Sequence, residues 1–263
     1  MDIHSTEDII GITIWYLEAV TGLCAHAVAF YFLYSLKTRK VGDLLILHLC
    51  CAEVLWIVWN VIHYSFYIHG RLSEESKLHT TGKMVLFTNF YLIILWITLD
   101  RVVAIKFTFW YLVALTKLKM VAILTLTWII SFGVGFTFWI LPAGRQRIIW
   151  VIQDSVCATV LILGYAYIIV KVYTQKKKFN NKSSSSRAPH FKLKIPLYLV
   201  TSHLCTIFIP DLVLIANENY YCVWFQVVWY LNFICDPVIY VSLTKRKRQR
   251  ILARGASFRN SGV

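Results

Sequence analysis

Seven apolar stretches alternate with shorter polar segments along the chain. They cover approximately residues 9–36, 44–67, 84–99, 121–141, 148–170, 195–216 and 220–243. Each is close to the ~20 residues that a helix needs to cross the hydrocarbon core of a bilayer. The stretches lack the alternation of barrel strands, and an open sheet edge in lipid would leave backbone groups unpaired. The pattern predicts an all-α membrane protein, a bundle of seven transmembrane helices.

The basic residues predict the orientation of this bundle. The chain has 263 residues, is 58% hydrophobic and carries a formal net charge of +14. Of its 27 Lys and Arg residues, 22 fall in the alternate segments 37–40, 101–119, 171–194 and 245–259. The positive-inside rule places these segments in the cytoplasm, so we expect the amino terminus outside and the carboxyl terminus inside. We expect a multi-pass protein of the plasma membrane whose charge faces the lipid bilayer's inner leaflet, with no nucleic-acid partner.

The chain divides into a seven-helix transmembrane domain, 1–243, and a basic cytoplasmic tail, 244–263. No basic region precedes the first apolar run, so we expect it to be a retained span and not a cleaved signal peptide. The tail intersperses Ile251, Leu252 and Phe258 among basic residues, which favours a short amphipathic helix on the inner leaflet; a solvated tail is the alternative. The segment 175–194 is polar, serine-rich and basic, and predicts a cytoplasmic loop.

Cysteine usage and motif content exclude several classes of site. Six of the seven cysteines lie inside predicted spans, and only Cys222 lies near the outer surface, so no disulfide is predicted. The sequence has no phosphate loop, no metal-ligand spacing and no nucleophile triad. We therefore expect no enzymatic activity.

Four short motifs follow one another in the order and spacing of a known receptor family. Asp100-Arg101 ends the third run, Trp128 lies in the fourth, Phe208-Ile-Pro210 lies in the sixth, and "NFICDPVIY" closes the seventh. Together with "LLILHLCCAEVLW" in the second run, they resemble the signatures of rhodopsin-like (class A) G-protein-coupled receptors. The resemblance covers essentially the whole chain.

The departures from the family pattern are specific. Val102 and Thr108 replace a tyrosine and a proline of the second cytoplasmic loop, and Glu53 replaces the usual second-helix aspartate. Ser76 stands where most members have a cysteine, the second outer loop is very short, and the fifth run has no proline. This combination is loosely similar to the branch of melanocortin, cannabinoid and lysophospholipid receptors.

The resemblance implies a switch that couples helix-six movement to a heterotrimeric G protein. Arg101 would leave Asp100 and meet the G protein, with Phe109 docking as the apolar loop residue. Helix six would swing about Pro210. The residues that the resemblance assigns to coupling and switching are Asp100, Arg101, Phe109, Tyr165, Phe208, Pro210, Asp236, Pro237 and Tyr240. Because 174–194 contains no acid that could hold Arg101 in place, we expect ligand-independent signalling.

Two carboxylates lie deep inside predicted spans, where an unpaired charge costs at least ~2.5 kcal/mol. The resemblance implies a sodium site at Glu53, Asn232 and Asp236. Phe90 stands at a ligand position and His26 adds bulk, which disfavours sodium. The alternative is that Glu53 and Asp236 share a proton. The sequence does not decide between the two.

Charged and aromatic residues near the outer halves of the spans are candidates for binding an unknown extracellular ligand. If they bind it, Lys83 suits an anionic or zwitterionic group; the alternative is that Lys83 pairs internally with Asp154 or Asp211. No Lys occurs between 220 and 243, so no retinal cofactor is expected. The candidate pocket residues are Glu18, His63, Lys83, Phe87, Asp154, Asp211, Trp229 and Tyr230.

Two other function classes remain open at this point. An ion-coupled transporter or channel would use Glu53 and Asp236 as its pathway, and would show flux without nucleotide exchange. A receptor-like protein that binds a ligand but does not couple is favoured by Val102, Thr108 and Phe90. The sequence identifies neither the ligand nor the G-protein subtype.

Overall fold

The structure, a computed structural model, describes residues 6–34, 41–68, 77–107, 111, 113, 115–180, 198, 201–203, 205, 206, 209 and 227–242. Five long helices account for most of them: α1 Thr6–Tyr34, α2 Val41–Ile68, α3 Lys77–Lys106, α4 Lys117–Ile140 and α5 Ala143–Asn180. A shorter apolar helix, Val227–Ser242, is the last described helix. The described residues contain no strand, so the fold is all-α.

Each of the five long helices is long and apolar enough to cross a membrane. Their positions agree with the first five apolar runs, and the last described helix lies within the seventh. Most of the sixth run lies outside the described residues. The architecture is compatible with a multi-pass membrane protein.

Helix α3 is the centre of the bundle. It packs against α2, α4 and α5, while α1 packs on α2. In α3, 61% of the apolar window is buried, against 28% in α1 and α4 and 22% in α5. The last described helix joins the core through Trp229, which stacks on Phe87, and through Phe233, which meets Phe90 edge-on.

The outer helices present large apolar side chains on their exposed faces. In α4, Phe132 is 60% exposed and Phe136 is 67% exposed, and in α5 Leu163 is 64% exposed. A soluble protein rarely leaves contiguous apolar surface of this kind in water. Lipid is a solvent that accepts it without cost, so these faces are suited to contact acyl chains.

The junction of α4 and α5 is fixed by local chemistry. Thr116 caps α4, its Oγ1 accepting from the Lys119 N–H at 3.3 Å. Pro142 has no N–H and ends the helix after Leu141. Gln146 then donates from Nε2 to the carbonyls of Phe138, at 2.7 Å, and Leu141, at 3.0 Å. These carbonyls would otherwise be left unpaired at the helix terminus.

Two predicted boundaries are corrected by the helices. Helix α3 begins at Lys77, ahead of the apolar run at 84, because Lys, His and Thr are compatible with a helix that emerges from the hydrocarbon core. Helix α5 continues through Asn180, so the loop predicted to begin at 175 begins later. Residues 175–180 are mostly polar, yet they continue the backbone hydrogen bonding of α5.

Candidate functional site

Asp100 and Arg101 form an ion pair near the carboxyl-terminal end of α3, the end that the sequence predicts to be cytoplasmic. Arg101 Nη2 donates to Asp100 Oδ2, and the Asp100 side chain is almost fully buried whereas that of Arg101 is 24% exposed. The carboxylate is therefore shielded from water by the packing of α3, and the guanidinium lies at the edge. Of the two residues, Arg101 is the one whose side chain has space to move out of the ion pair.

Tyr111 provides a second contact to the same carboxylate. Its hydroxyl donates to Asp100 Oδ1 at 2.6 Å, so that both carboxylate oxygens are bound. The Tyr111 N–H donates to the Phe107 carbonyl at 2.8 Å, which holds Tyr111 close to the end of α3. Burial, together with the Asp100 carboxylate, raises the pKa of Tyr111 above its ordinary value, so the phenol keeps its donating proton.

Gly42, at the start of α2, makes the closest approach to the ion pair. A Cβ at this position would lie 2.7 Å from Arg101 Nη2 and 3.8 Å from Asp100 Oδ2. A larger side chain would therefore contact the guanidinium before it contacts anything else near it. We refer to Gly42, Asp100, Arg101 and Tyr111 as the inner lock.

Four of the other predicted switch residues lie among the described residues. Tyr165 on α5 and Tyr240 on the last described helix are both buried. Pro237 follows Asp236 within the last described helix. Phe109, Phe208 and Pro210 lie outside the described residues.

A buried cluster of two acids and two histidines occupies the middle of the bundle. His26 Nε2 lies 2.6 Å from Glu53 Oε2, and His203 Nε2 lies 3.2 Å from Asp236 Oδ2. His26, His203 and Glu53 have no exposed surface, and Asp236 is 3% exposed. The four residues come from α1, α2, the 201–203 segment and the last described helix.

The backbone fixes the protonation of the His26–Glu53 pair. His26 Nδ1 lies 2.7 Å from the Gly22 carbonyl, which can only accept, so Nδ1 carries a hydrogen. The short contact between Nε2 and Glu53 Oε2 then needs one further proton between these two atoms. His26, which the sequence presented as added bulk, is thus the partner of Glu53.

Glu53 and Asp236 each have one carboxyl oxygen that is hydrogen-bonded to neither His26 nor His203. Glu53 Oε1 and Asp236 Oδ1 are buried and accept no hydrogen bond from a described donor. One ligand atom from each of Glu53, His203 and Asp236 fits within a 4.8 Å spread. Two acids at this separation require either a shared proton or a cation between them.

Asn232 is attached to this cluster. Its Nδ2 donates to Asp236 Oδ2 and lies 3.4 Å from His203 Nε2. Its Oδ1 accepts from Ser202 at 3.1 Å and from Thr206 at 3.0 Å. The structure therefore brings together Glu53, Asn232 and Asp236, the three residues of the sodium alternative, and adds two imidazoles. Phe90 stacks on His203 with ring centroids 5.0 Å apart.

Seven of the eight predicted ligand-pocket residues lie among the described residues, and Asp211 lies outside them. Lys83 Nζ lies over two indole rings, 5.7 Å from the centroid of Trp150 and 5.8 Å from that of Trp229. Asp154 is buried on α5, and Glu18 is buried on α1. His63 stacks on His79 with centroids 3.3 Å apart. Tyr230 packs edge-on against Trp15.

A cavity of about 10 Å³ is lined by Trp56, Phe87, Phe90, Trp229 and Phe233, of which Phe87 and Trp229 are predicted pocket residues. This volume is close to the minimum for one water molecule, so this cavity as it stands does not hold a larger ligand.

Sequence reasoning missed three residues of these sites. His203 interrupts an apolar run, a signal equal to the one that pointed to Glu53 and Asp236. Trp150 carried no signal that linked it to Lys83. Tyr111 carried none either, since its contact depends on how the loop folds back onto α3.

Comparisons with known proteins add no relative. No protein-family model matches the sequence, and no curated protein matches it.

Proposed function

We propose that the chain is a seven-helix receptor that converts binding of an outer-side ligand into activation of a cytoplasmic heterotrimeric G protein. The inner lock is the observation that carries the proposal. An Asp-Arg pair ends the most buried helix of the bundle, its acid is held from both sides, and its guanidinium has an open edge. Such a pair has two arrangements, which a ligand can shift by binding one better than the other.

The proposed orientation puts the amino terminus outside and the inner lock on the cytoplasmic side of the plasma membrane. The distribution of Lys and Arg supports this orientation. The sixth and seventh spans of the proposal are the apolar run at 195–216 and the run that contains Val227–Ser242. The position of Lys83 beside Trp150 and Trp229, one layer outside the central cavity, supports a ligand that enters from the outer side.

The proposed activation step is the release of Arg101 from Asp100 as helix six moves outward about Pro210. The freed guanidinium is a five-donor planar group, suited to bind carbonyl or carboxylate oxygens of a docking protein. Tyr165 and Tyr240 are buried near this end of the bundle and offer hydroxyl groups to the released side chain.

The experiment is basal guanine-nucleotide exchange by a panel of G proteins in membranes that carry the full chain. We compare the unaltered chain with Arg101→Ala, and with Lys106→Ala as the matched control. Lys106 is an exposed basic residue at the end of the same helix, over the Phe107 ring. Exchange above background that Arg101→Ala abolishes and Lys106→Ala preserves is the expected result. Exchange at background for every G protein, with and without candidate ligands, contradicts coupling.

Flux measurements in the same membranes distinguish a receptor from an ion-coupled transporter. An ion-coupled transporter would move an ion or solute through the cluster of Glu53 and Asp236, and Glu53→Gln would abolish the flux. Flux without nucleotide exchange would replace the receptor proposal.

A further inference from the structure

We propose that Glu53, His203 and Asp236 form a site for one divalent transition-metal ion of the zinc class. The site is independent of the receptor proposal. The inference starts from geometry: three side chains from three different segments place ligand atoms within 4.8 Å of one another, in a place without solvent exposure.

The hydrogen bonds of the cluster leave one oxygen of each carboxyl group available as a ligand. His26 occupies Glu53 Oε2, and Asn232 donates to Asp236 Oδ2. The remaining oxygens, Glu53 Oε1 and Asp236 Oδ1, accept nothing from a described donor although both are fully buried. A buried anionic oxygen in this state is costly, and a cation is the group that most directly offsets the cost.

The separations suit a small cation. Ligand atoms around Zn²⁺ at ~2.0–2.2 Å in a tetrahedron lie roughly 3.4 Å apart. His203 Nε2 lies 3.2 Å from Asp236 Oδ2, and one ligand atom from each of the three residues lies within 4.8 Å of the others. The Asp236 carboxyl group can turn either oxygen toward the ion, and the widest pair would have to close by about 1.4 Å to reach the tetrahedral separation.

The donor set selects the class of ion. Sodium takes oxygen ligands, whereas an imidazole nitrogen with two carboxylates is suited to zinc and its neighbours in the transition series. Two carboxylates also balance the charge of a divalent ion. His26 acts as a positioning residue: it holds one oxygen of Glu53 and so directs the other toward the ion, as partners of metal-bound groups commonly do.

The test uses the full chain purified in detergent, stripped of metal by a chelator and titrated with Co²⁺ and with Zn²⁺. The visible absorption spectrum of bound Co²⁺ depends on its ligands and therefore reports the coordination. We expect one Co²⁺ per chain, displaced by Zn²⁺, and a rise in the unfolding temperature with Zn²⁺ because binding favours the folded state. Glu53→Gln and His203→Gln should each weaken the affinity by more than about tenfold.

His48→Gln is the matched control. His48 is a half-buried histidine on the same helix as Glu53, with its ring against Trp128, so this variant should bind Co²⁺ as the unaltered chain does. The titration of the unaltered chain decides the question even if one variant fails to fold. No stoichiometric binding, or stabilisation by Na⁺ but not by Zn²⁺, overturns the proposal. Equal Co²⁺ affinity in folded Glu53→Gln and His203→Gln also overturns it, since the ion would then lie elsewhere.

The metal titration is measured without any G protein. A negative result in this titration would therefore leave the receptor proposal unaffected. Conversely, a chain that binds Zn²⁺ and never drives nucleotide exchange would retain the site and lose the receptor proposal.

Discussion

Replacing Tyr111 with Phe removes a single hydroxyl from the inner lock and leaves the rest of the side chain in place. The hydroxyl lies 2.6 Å from Asp100 Oδ1, and the acceptor residue is 6% exposed. If the inner lock favours the silent arrangement, its loss should raise basal nucleotide exchange.

The magnitude follows from the kind of bond. A hydrogen bond to a charged group contributes about 1.5–3 kcal/mol, and the lower end applies because Tyr111 is only half-buried and water can replace its hydroxyl. A change of ~1.5 kcal/mol shifts the ratio of released to locked chains about tenfold. Basal exchange should rise about tenfold if the released form is rare, and about 2.5-fold if it is already near a third of the chains.

The assay is basal exchange at matched surface expression, with Tyr173→Phe as the control. Tyr173 is a 70% exposed tyrosine on α5 and is not part of the inner lock, so its hydroxyl should not matter. Exchange in Tyr111→Phe that equals or falls below that of the unaltered chain would refute the reasoning, because the bond would then not favour the silent state.

Three further predictions follow from close contacts. Gly42→Ala places a methyl group 2.7 Å from Arg101 Nη2 and should raise basal exchange by displacing the guanidinium; unchanged exchange in a folded variant contradicts this. Gly135→Ala places a Cβ 2.2 Å from Val85 Cγ2 and should destabilise the fold by about 1–3 kcal/mol, measured by thermal unfolding. Val85→Ala should recover part of that loss in the double variant, and strictly additive effects would argue against the contact. Lys83→Met should lower stability by about 0.5–2 kcal/mol through loss of the charge over two indoles, whereas Lys83→Arg should keep it; an equal loss in both variants would exclude a cation–π origin.

The helices were predictable because lipid imposes one strong condition, about 20 apolar residues per span, and the first five runs meet it. Their ends were less predictable. Lys77 and Asn180 are polar, yet both belong to helices that extend past the apolar region. Backbone hydrogen bonding continues wherever the local residues permit it, and hydropathy alone does not report where it stops.

The residues of the candidate sites were also predictable only in part. Glu53 and Asp236 could be found from sequence, since a carboxylate inside a span requires a partner. The identity of that partner could not be found, because it depends on how α1 and the 201–203 segment rotate toward α2 and the last described helix. His26 and His203 therefore became partners of the acids only in the folded bundle.

Lys83 illustrates the same limit. Sequence reasoning offered a ligand group or an acid as its partner and did not anticipate the ring faces of Trp150 and Trp229, which the structure places beside it. The pattern of charges along the sequence gives no signal for an aromatic ring on a neighbouring helix. Only the packing of α3 against α5 and the last described helix brings the rings to the ammonium.

The most direct test of the account compares two substitutions at adjacent positions, Asp100→Asn and Arg101→Ala, by basal nucleotide exchange in membranes at matched expression. The account predicts opposite signs: Asp100→Asn removes the charge that holds the guanidinium and raises exchange, whereas Arg101→Ala removes the group that engages the G protein and abolishes it. A pair with only a structural role at the membrane edge would lower or preserve exchange in both variants, and that result would contradict the inner lock as a switch.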